Sequence, residues 1–175
     1  LLVVRRIFHI TRWHGPADSI YAAHRTDNEL DVRAGFGSTL AAFISASGGA
    51  SVGQYGPLVH FGATMGSFLR QMTGGVLTTD VFIGCGVAGA IAAGFNAPIA
   101  GLVFAHEAIL RHFSMRAIAP IAIASISAVW FSDRLFDVAP LFSLDSSGFD
   151  MAQMLPSALV AGPISVSYTH LTLPT

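Results

Sequence analysis

The stretch GQYGP, Gly53-Gln54-Tyr55-Gly56-Pro57, places two glycines, a polar pair and a proline in one short block. A helix that begins at Tyr55 or Gly56 carries free backbone N–H groups and the positive end of its dipole. In a desolvated setting such an end holds an anion, and glycines let the anion come close to the amides. Pro57 fits a first helical turn, where its missing N–H is not needed. The alternative at this level is a buried kink between packed helices.

Two other blocks invite chemistry and fail on spacing. HEAILRH carries His106, Glu107 and His112. A zinc-protease helix needs two histidines four residues apart on one face. Here they are six apart, about 240° around a helix, so a helix C-terminus with His112 and Arg111 at the negative dipole end is the better reading. GCGVAG, residues 84–89, resembles a dinucleotide fingerprint but lies inside an uncharged apolar run with no strand before it. No metal site and no cofactor are expected. Cys85 is the single cysteine, which excludes an internal disulfide.

The surroundings explain what must position GQYGP. Of 175 residues, 53% are hydrophobic and 11% are charged. Soluble domains carry about 25% charged residues, and the mean hydropathy is +0.62, so a protein embedded in the lipid bilayer is expected. All basic residues are arginine, and none forms a patch with interleaved aromatics. Nucleic-acid binding has no support.

GQYGP sits inside an uncharged run over residues 34–69. That run is too long for one span of about 20 residues and short for two. It divides into a helix over 34–47, a break over 48–56 and a helix over 57–71. A second run, 81–106, is divided by FNAP, with Pro98 opening a new helix. A third, 117–132, carries Pro120 in its first turn, and a fourth covers 151–163. A short helix is expected from Pro16 to His24. Backbone broken at membrane depth survives only inside protein or beside a polar cavity, so the breaks point to a pathway. Gly62 and Gly66, then Gly86, Ala90 and Gly94, repeat at four-residue spacing and suit close helix packing in lipid. Arg5, Arg6 and Arg12, with Arg111 and Arg116, are assigned to the cytoplasmic side; the acidic loop over 132–150 is assigned outside. The start LLVVRR reads as a helix tail whose beginning is missing. SVSYTHLTLPT, residues 165–175, does not continue the apolar pattern and reads as a non-native, adaptor-derived tail. The expected transmembrane domain is then a partial one over 1–163.

GQYGPLVHFGATMG, followed about 40 residues later by AAGFNAPIAG (92–101), resembles the CLC chloride channels and chloride/proton antiporters. Two linked motifs in the right order and interval carry the resemblance. It implies an all-α membrane protein, a CLC-like inverted-repeat fold of short, broken and tilted helices, with only the first repeat and a little of the second present. It also implies a homodimer in a bacterial inner membrane, no enzyme activity, and chloride or a similar small anion as the transported species. The family's anion site gathers helix ends: one at Gly53, Gln54, Tyr55, Gly56 and Pro57, another at a G-S-G-I-P segment. The latter aligns with Trp13, His14, Gly15 and Pro16, where the serine becomes Trp13 or His14. The family's gating glutamate falls on Tyr55. Its cytoplasmic proton glutamate falls on Ala108, next to Glu107.

A phenol ordinarily titrates near pH 10 and stays neutral where a carboxylate would be charged. Tyr55 can block a path or donate from its hydroxyl, but it cannot compete as an anion. The expectation is a passive, weakly pH-dependent anion conductor. The alternatives are an antiporter using another proton carrier, such as His60 or His106, and a non-conducting structural remnant. A membrane enzyme would need a convergent nucleophile or metal set, and none is present in the sequence.

Overall fold

The structure is a computed structural model that describes residues 2–10, 12–24, 30–50, 53, 55–74, 77–136, 155–157, 159–164 and 167. The chain divides into two compact units, Leu1–Leu141 and Phe142–Thr175. In the second unit, residues 155–157 and 159–164 are helical. Most of the expected tail over 165–175, and the acidic loop from Asp137 to Asp150, lie outside the described residues.

The first unit is built of helices alone among its described residues: α1 Leu2–Ile7, α2 Pro16–His24, α3 Val32–Ser47, α4 Tyr55–Thr73, α5 Thr79–Phe95, α6 Pro98–Phe104 and α7 Met115–Phe136. A π-helical turn, Ala105–Leu110, continues α6. Of these, only α7 is long and apolar enough to cross a membrane by itself, with a mean hydropathy of 1.5. Helix α4 has 19 residues but is less apolar, and α3 and α5, at 16 and 17 residues, are shorter.

Each break has a local cause. The Asp31 side chain accepts from the Ala34 amide at 3.1 Å and opens α3. Gly49, at φ +82°, turns the chain out of α3. Asn96 ends α5 in the left-handed region at φ 52°, a conformation that asparagine tolerates better than most residues. Pro98 then takes the first turn of α6. Arg111, at φ 55°, closes the π-helical turn.

Several helix ends lie two to four residues beyond the sequence reading, α3 for one starting at Val32 rather than at 34. The second helix of the long run starts at Tyr55 rather than at residue 57, because Gly56 and Pro57 both fit a first turn. The helix expected over 117–132 runs from Met115 to Phe136, so Pro120 lies inside it. There it forfeits the N–H that would bond the carbonyl four residues earlier, a loss confined to the second turn.

Helix α5 is central. On one side it meets α4 at backbone contact. A methyl on Gly62 would collide with the Gly86 carbonyl, one on Gly66 with the Phe82 carbonyl, and one on Gly86 with the Gly62 carbonyl. The small-residue spacing read from the sequence is therefore a helix crossing. On the other side, Val81, Ala88, Ala105, Leu110, Ala117 and Ile121 form a core that joins α5 to the π-helical turn and α7. The Ser125 hydroxyl donates to the Pro98 carbonyl and holds α7 to the start of α6.

Candidate functional site

The site begins where two helices start. Gly56, second residue of α4, faces Pro16, first residue of α2: a methyl on Gly56 would stand 3.5 Å from Pro16 Cγ. Residues 40 positions apart in sequence thus bring the GQYGP and WHGP segments together. The amides of Tyr55 and Gly56 belong to a first turn, which offers no intrahelical acceptor. Gln54 lies outside the described residues, and Gly53 is exposed.

The two starts are not equivalent. At α2 the two amides just before the helix are already engaged. His14 N–H donates to Ser38 Oγ at 3.0 Å, and Gly15 N–H donates to Asp18 Oδ2 at 2.8 Å. Asp18 also pairs with Arg12. This is half of a capping box, with a carboxylate reaching back to the helix start. It places a fixed negative charge at α2. Trp13 is exposed and Pro16 has no N–H to give. The α4 start has no such carboxylate among the described residues.

Tyr55 lies flat on Phe95, with ring centroids 4.3 Å apart and planes 16° apart. Phe95 is the first residue of FNAP, so the break that ends α5 supplies the platform under the tyrosine. The tyrosine borders a largely apolar region beside α3. A cavity of about 440 Å³ there is lined by Phe43, Ala46, Gly53, Tyr55, Pro57 and Gly94, among others. The ring is 38% exposed.

Glu107 and Ala108 sit elsewhere, in the π-helical turn. Glu107 is exposed and Ala108 half-buried. Ten residues of helix separate Pro98 from Ala108, about 15 Å of rise, so the fold keeps them apart from Tyr55. His106 Nδ1 lies 3.0 Å from the Leu102 carbonyl, and its ring stacks on Phe113 with centroids 5.3 Å apart. His112 Nδ1 lies 2.7 Å from the Leu110 carbonyl. The two histidines thus face separate backbone acceptors.

Sequence reasoning missed one polar cluster. Ser19 Oγ and His60 Nδ1 are 2.8 Å apart, linking α2 to α4 one turn inward from the Pro16–Gly56 contact. The His14 ring meets the His60 ring edge-on, with centroids 6.2 Å apart. The only signal available was the position of His60 within an uncharged run, four residues after Gly56. Nothing in one sequence paired it with Ser19.

The chain matches the family described as voltage gated chloride channel over residues 1–174. It is 26% identical to a chloride channel protein described as ClcB-like from Ralstonia nicotianae, over 85% of this chain and 37% of that protein. It is 29% identical to the voltage-gated ClC-type chloride channel ClcB of Yersinia pseudotuberculosis, over 69% of this chain and 29% of the relative. The ClcB of Escherichia coli is 26% identical over 93% of this chain and 40% of its own length. The chain therefore spans well under half the length of these relatives. No solved structure gives a significant match. With a family match over nearly its whole length and an all-α architecture of short, broken helices meeting at their starts, the chain belongs to the voltage-gated chloride channel, or CLC, family.

Proposed function

We propose that this chain contributes one half of a transmembrane anion pathway, and that the protein containing it conducts chloride or a similar small anion passively, without moving protons in exchange. The observation that carries the reading is the convergence of two helix starts at Pro16 and Gly56, with Tyr55 stacked beside them. Free first-turn amides at α4 offer the anion its ligands, while the α2 start is occupied by its own carboxylate. The anion-binding residues are then Gly53, Gln54, Tyr55, Gly56 and Pro57, with Trp13 to Pro16 forming the wall opposite. Tyr55 blocks sterically or donates from its hydroxyl, but carries no charge to cycle. Ala108 in place of a second carboxylate leaves the far end of the route without a proton acceptor. The domain is taken to run over 1–163, the setting to be a bacterial inner membrane, and the working form to be a homodimer.

The test is flux from liposomes holding the full-length protein. A chloride gradient should drive chloride out with no accompanying proton movement. Stoichiometric proton uptake driven by that gradient would overturn the passive reading.

A further inference from the structure

The carboxyl end of α1 carries a charge pattern that the anion pathway does not use. Arg5 and Arg6 stand in its last turn, and both are exposed. The chain then turns at His9, whose φ of 52° lies in the left-handed region. Phe8 N–H donates to the Val4 carbonyl and Ile10 N–H to the Arg5 carbonyl, both at 3.0 Å. The second bond is of the kind that closes a helix in a Schellman motif, where glycine is the usual turning residue because it has no Cβ to strain. Here the turn carries an exposed imidazole instead. Phe8 and Ile10 seat this end of α1 on α3: a methyl on Gly37 would collide with both side chains. The start of α3 presents Arg33, which is exposed as well.

Two open hollows meet at His9. One, of about 570 Å³, is lined by Arg5, Arg6, His9 and Ile10. The other, of about 480 Å³, is lined by Ile7, Phe8, His9, Asp31 and Arg33. Three arginines and a histidine thus share the hollows with one carboxylate. Asp31 is already engaged, since it accepts the Ala34 amide at 3.1 Å. Among the described residues, neither Arg6 nor Arg33 pairs with a carboxylate; the ion pair in this region is that of Arg12 with Asp18. Arg33 also stands at the positive end of the α3 dipole, where a cation is repelled. An anion seated in the hollows offsets that repulsion and gives both arginines a partner.

We infer that Arg5, Arg6, His9 and Arg33 form a binding site for the phosphate headgroup of an anionic phospholipid. The guanidinium fork matches phosphate with two parallel hydrogen bonds. Position argues for a lipid over free phosphate. Arginine is costly inside the hydrocarbon. The apolar LLVV precedes the arginines and the polar stretch over 13–33 follows them, so this end of α1 lies at headgroup level. Ile7 is 65% exposed and shares a hollow with His9 and Arg33. A lipid covers that apolar wall with its own apolar part, whereas free phosphate leaves it in water. Basic pockets between helices at a membrane surface take lipid headgroups on the same grounds. The seated lipid also ties α1 to α3 next to Ser38, which holds the His14 amide at 3.0 Å. It thereby steadies the segment that leads to the start of α2.

Binding to the detergent-solubilised full-length protein decides this, whatever the mode of chloride transport. The melting temperature is followed as phosphatidylglycerol, phosphatidylcholine or inorganic phosphate is added. Phosphatidylglycerol should raise it along a saturating curve; the other two should not. Arg6→Gln and Arg33→Gln should each raise the half-saturating phosphatidylglycerol concentration about fivefold, and the double variant about 25-fold. Both side chains are exposed, so melting without lipid should match the wild type. No response to phosphatidylglycerol, or an equal response to phosphatidylcholine, overturns the inference. An equal response to inorganic phosphate overturns the lipid assignment. An unchanged half-saturating concentration in the double variant removes these arginines from the site and overturns the inference too. Should the double variant not fold, the two single variants decide by the same criterion.

Discussion

Tyr55 rests face to face on Phe95, ring centroids 4.3 Å apart, so the first residue of α4 is held by the last residue of α5. The contact ties the two sequence motifs of the chain into one structural unit. An aromatic pair of this kind contributes about 0.5–1.5 kcal/mol beyond its buried area. If that stacking keeps the tyrosine over the α4 start, Phe95→Ala should loosen it and raise chloride flux by about two- to tenfold, the same energy read as a population. Tyr55→Ala should raise flux at least as much, since it removes the ring as well. Liposome efflux rates decide this, and unchanged rates in both variants would take Tyr55 out of the path.

A carboxylate restored at the same place should behave differently from either ring. Tyr55→Glu puts at the α4 start a group that ordinarily titrates near 4.3. Above that range it is charged and competes with chloride for the first-turn amides, so flux at pH 7.5 should fall below that of Tyr55→Ala. As pH drops through the carboxylate range the group is neutralised, the amides are released and flux should climb. The sign is the test: flux that falls with acid in Tyr55→Glu, relative to Tyr55→Ala, would show that the side chain does not reach the amides.

Much of the fold was legible in the sequence, for definable reasons. Pro16 to His24 was readable because Pro16 and Asp18 mark a start and the next loop is polar. The breaks after Ser47 and at FNAP were readable because glycine and proline act locally. That Gly62 and Gly86 sit where helices pack closely was readable from spacing, but that they meet each other was not. The candidate site was only half legible. A first-turn amide is a property of one segment, so GQYGP announced itself. The Phe95 platform, the Ser19–His60 bond and the engagement of the His14 amide by Ser38 are properties of segments brought together from far apart. No periodicity within one segment encodes them.

Asp18 makes the asymmetry of the two helix starts testable. Its carboxylate accepts Gly15 N–H at 2.8 Å and pairs with Arg12. Asp18→Asn keeps an oxygen to accept from Gly15 and removes the negative charge beside the proposed anion site. Chloride should bind severalfold tighter, seen as a lower half-saturating chloride concentration for flux. The exposed Arg12 pair costs little to lose, so thermal stability should change by no more than about 1 kcal/mol. Weaker chloride dependence would mean that the carboxylate shapes the loop instead of opposing the anion.

The α4–α5 crossing carries the strongest prediction about stability, because the glycines there meet backbone and not flexible side chains. A methyl on Gly62 would strike the Gly86 carbonyl, and one on Gly86 would strike the Gly62 carbonyl. Neither obstacle can swing aside, so the helices must separate. Overpacking of this kind costs about 1–3 kcal/mol. Gly62→Ala and Gly86→Ala should each lower the melting temperature of the detergent-solubilised full-length protein. Gly48→Ala, where the nearest atom stands at 3.4 Å, should not. The two crossing variants should also be less than additive, since one separation of the helices makes room for both methyls. Full additivity would mean that each methyl is accommodated by its own local shift, and that the two glycines do not share one crossing. Because α4 carries Tyr55 and α5 carries Phe95, the same separation should pull the stacked rings apart. Each crossing variant should therefore raise chloride flux as well as lower the melting temperature, although neither glycine lines the site.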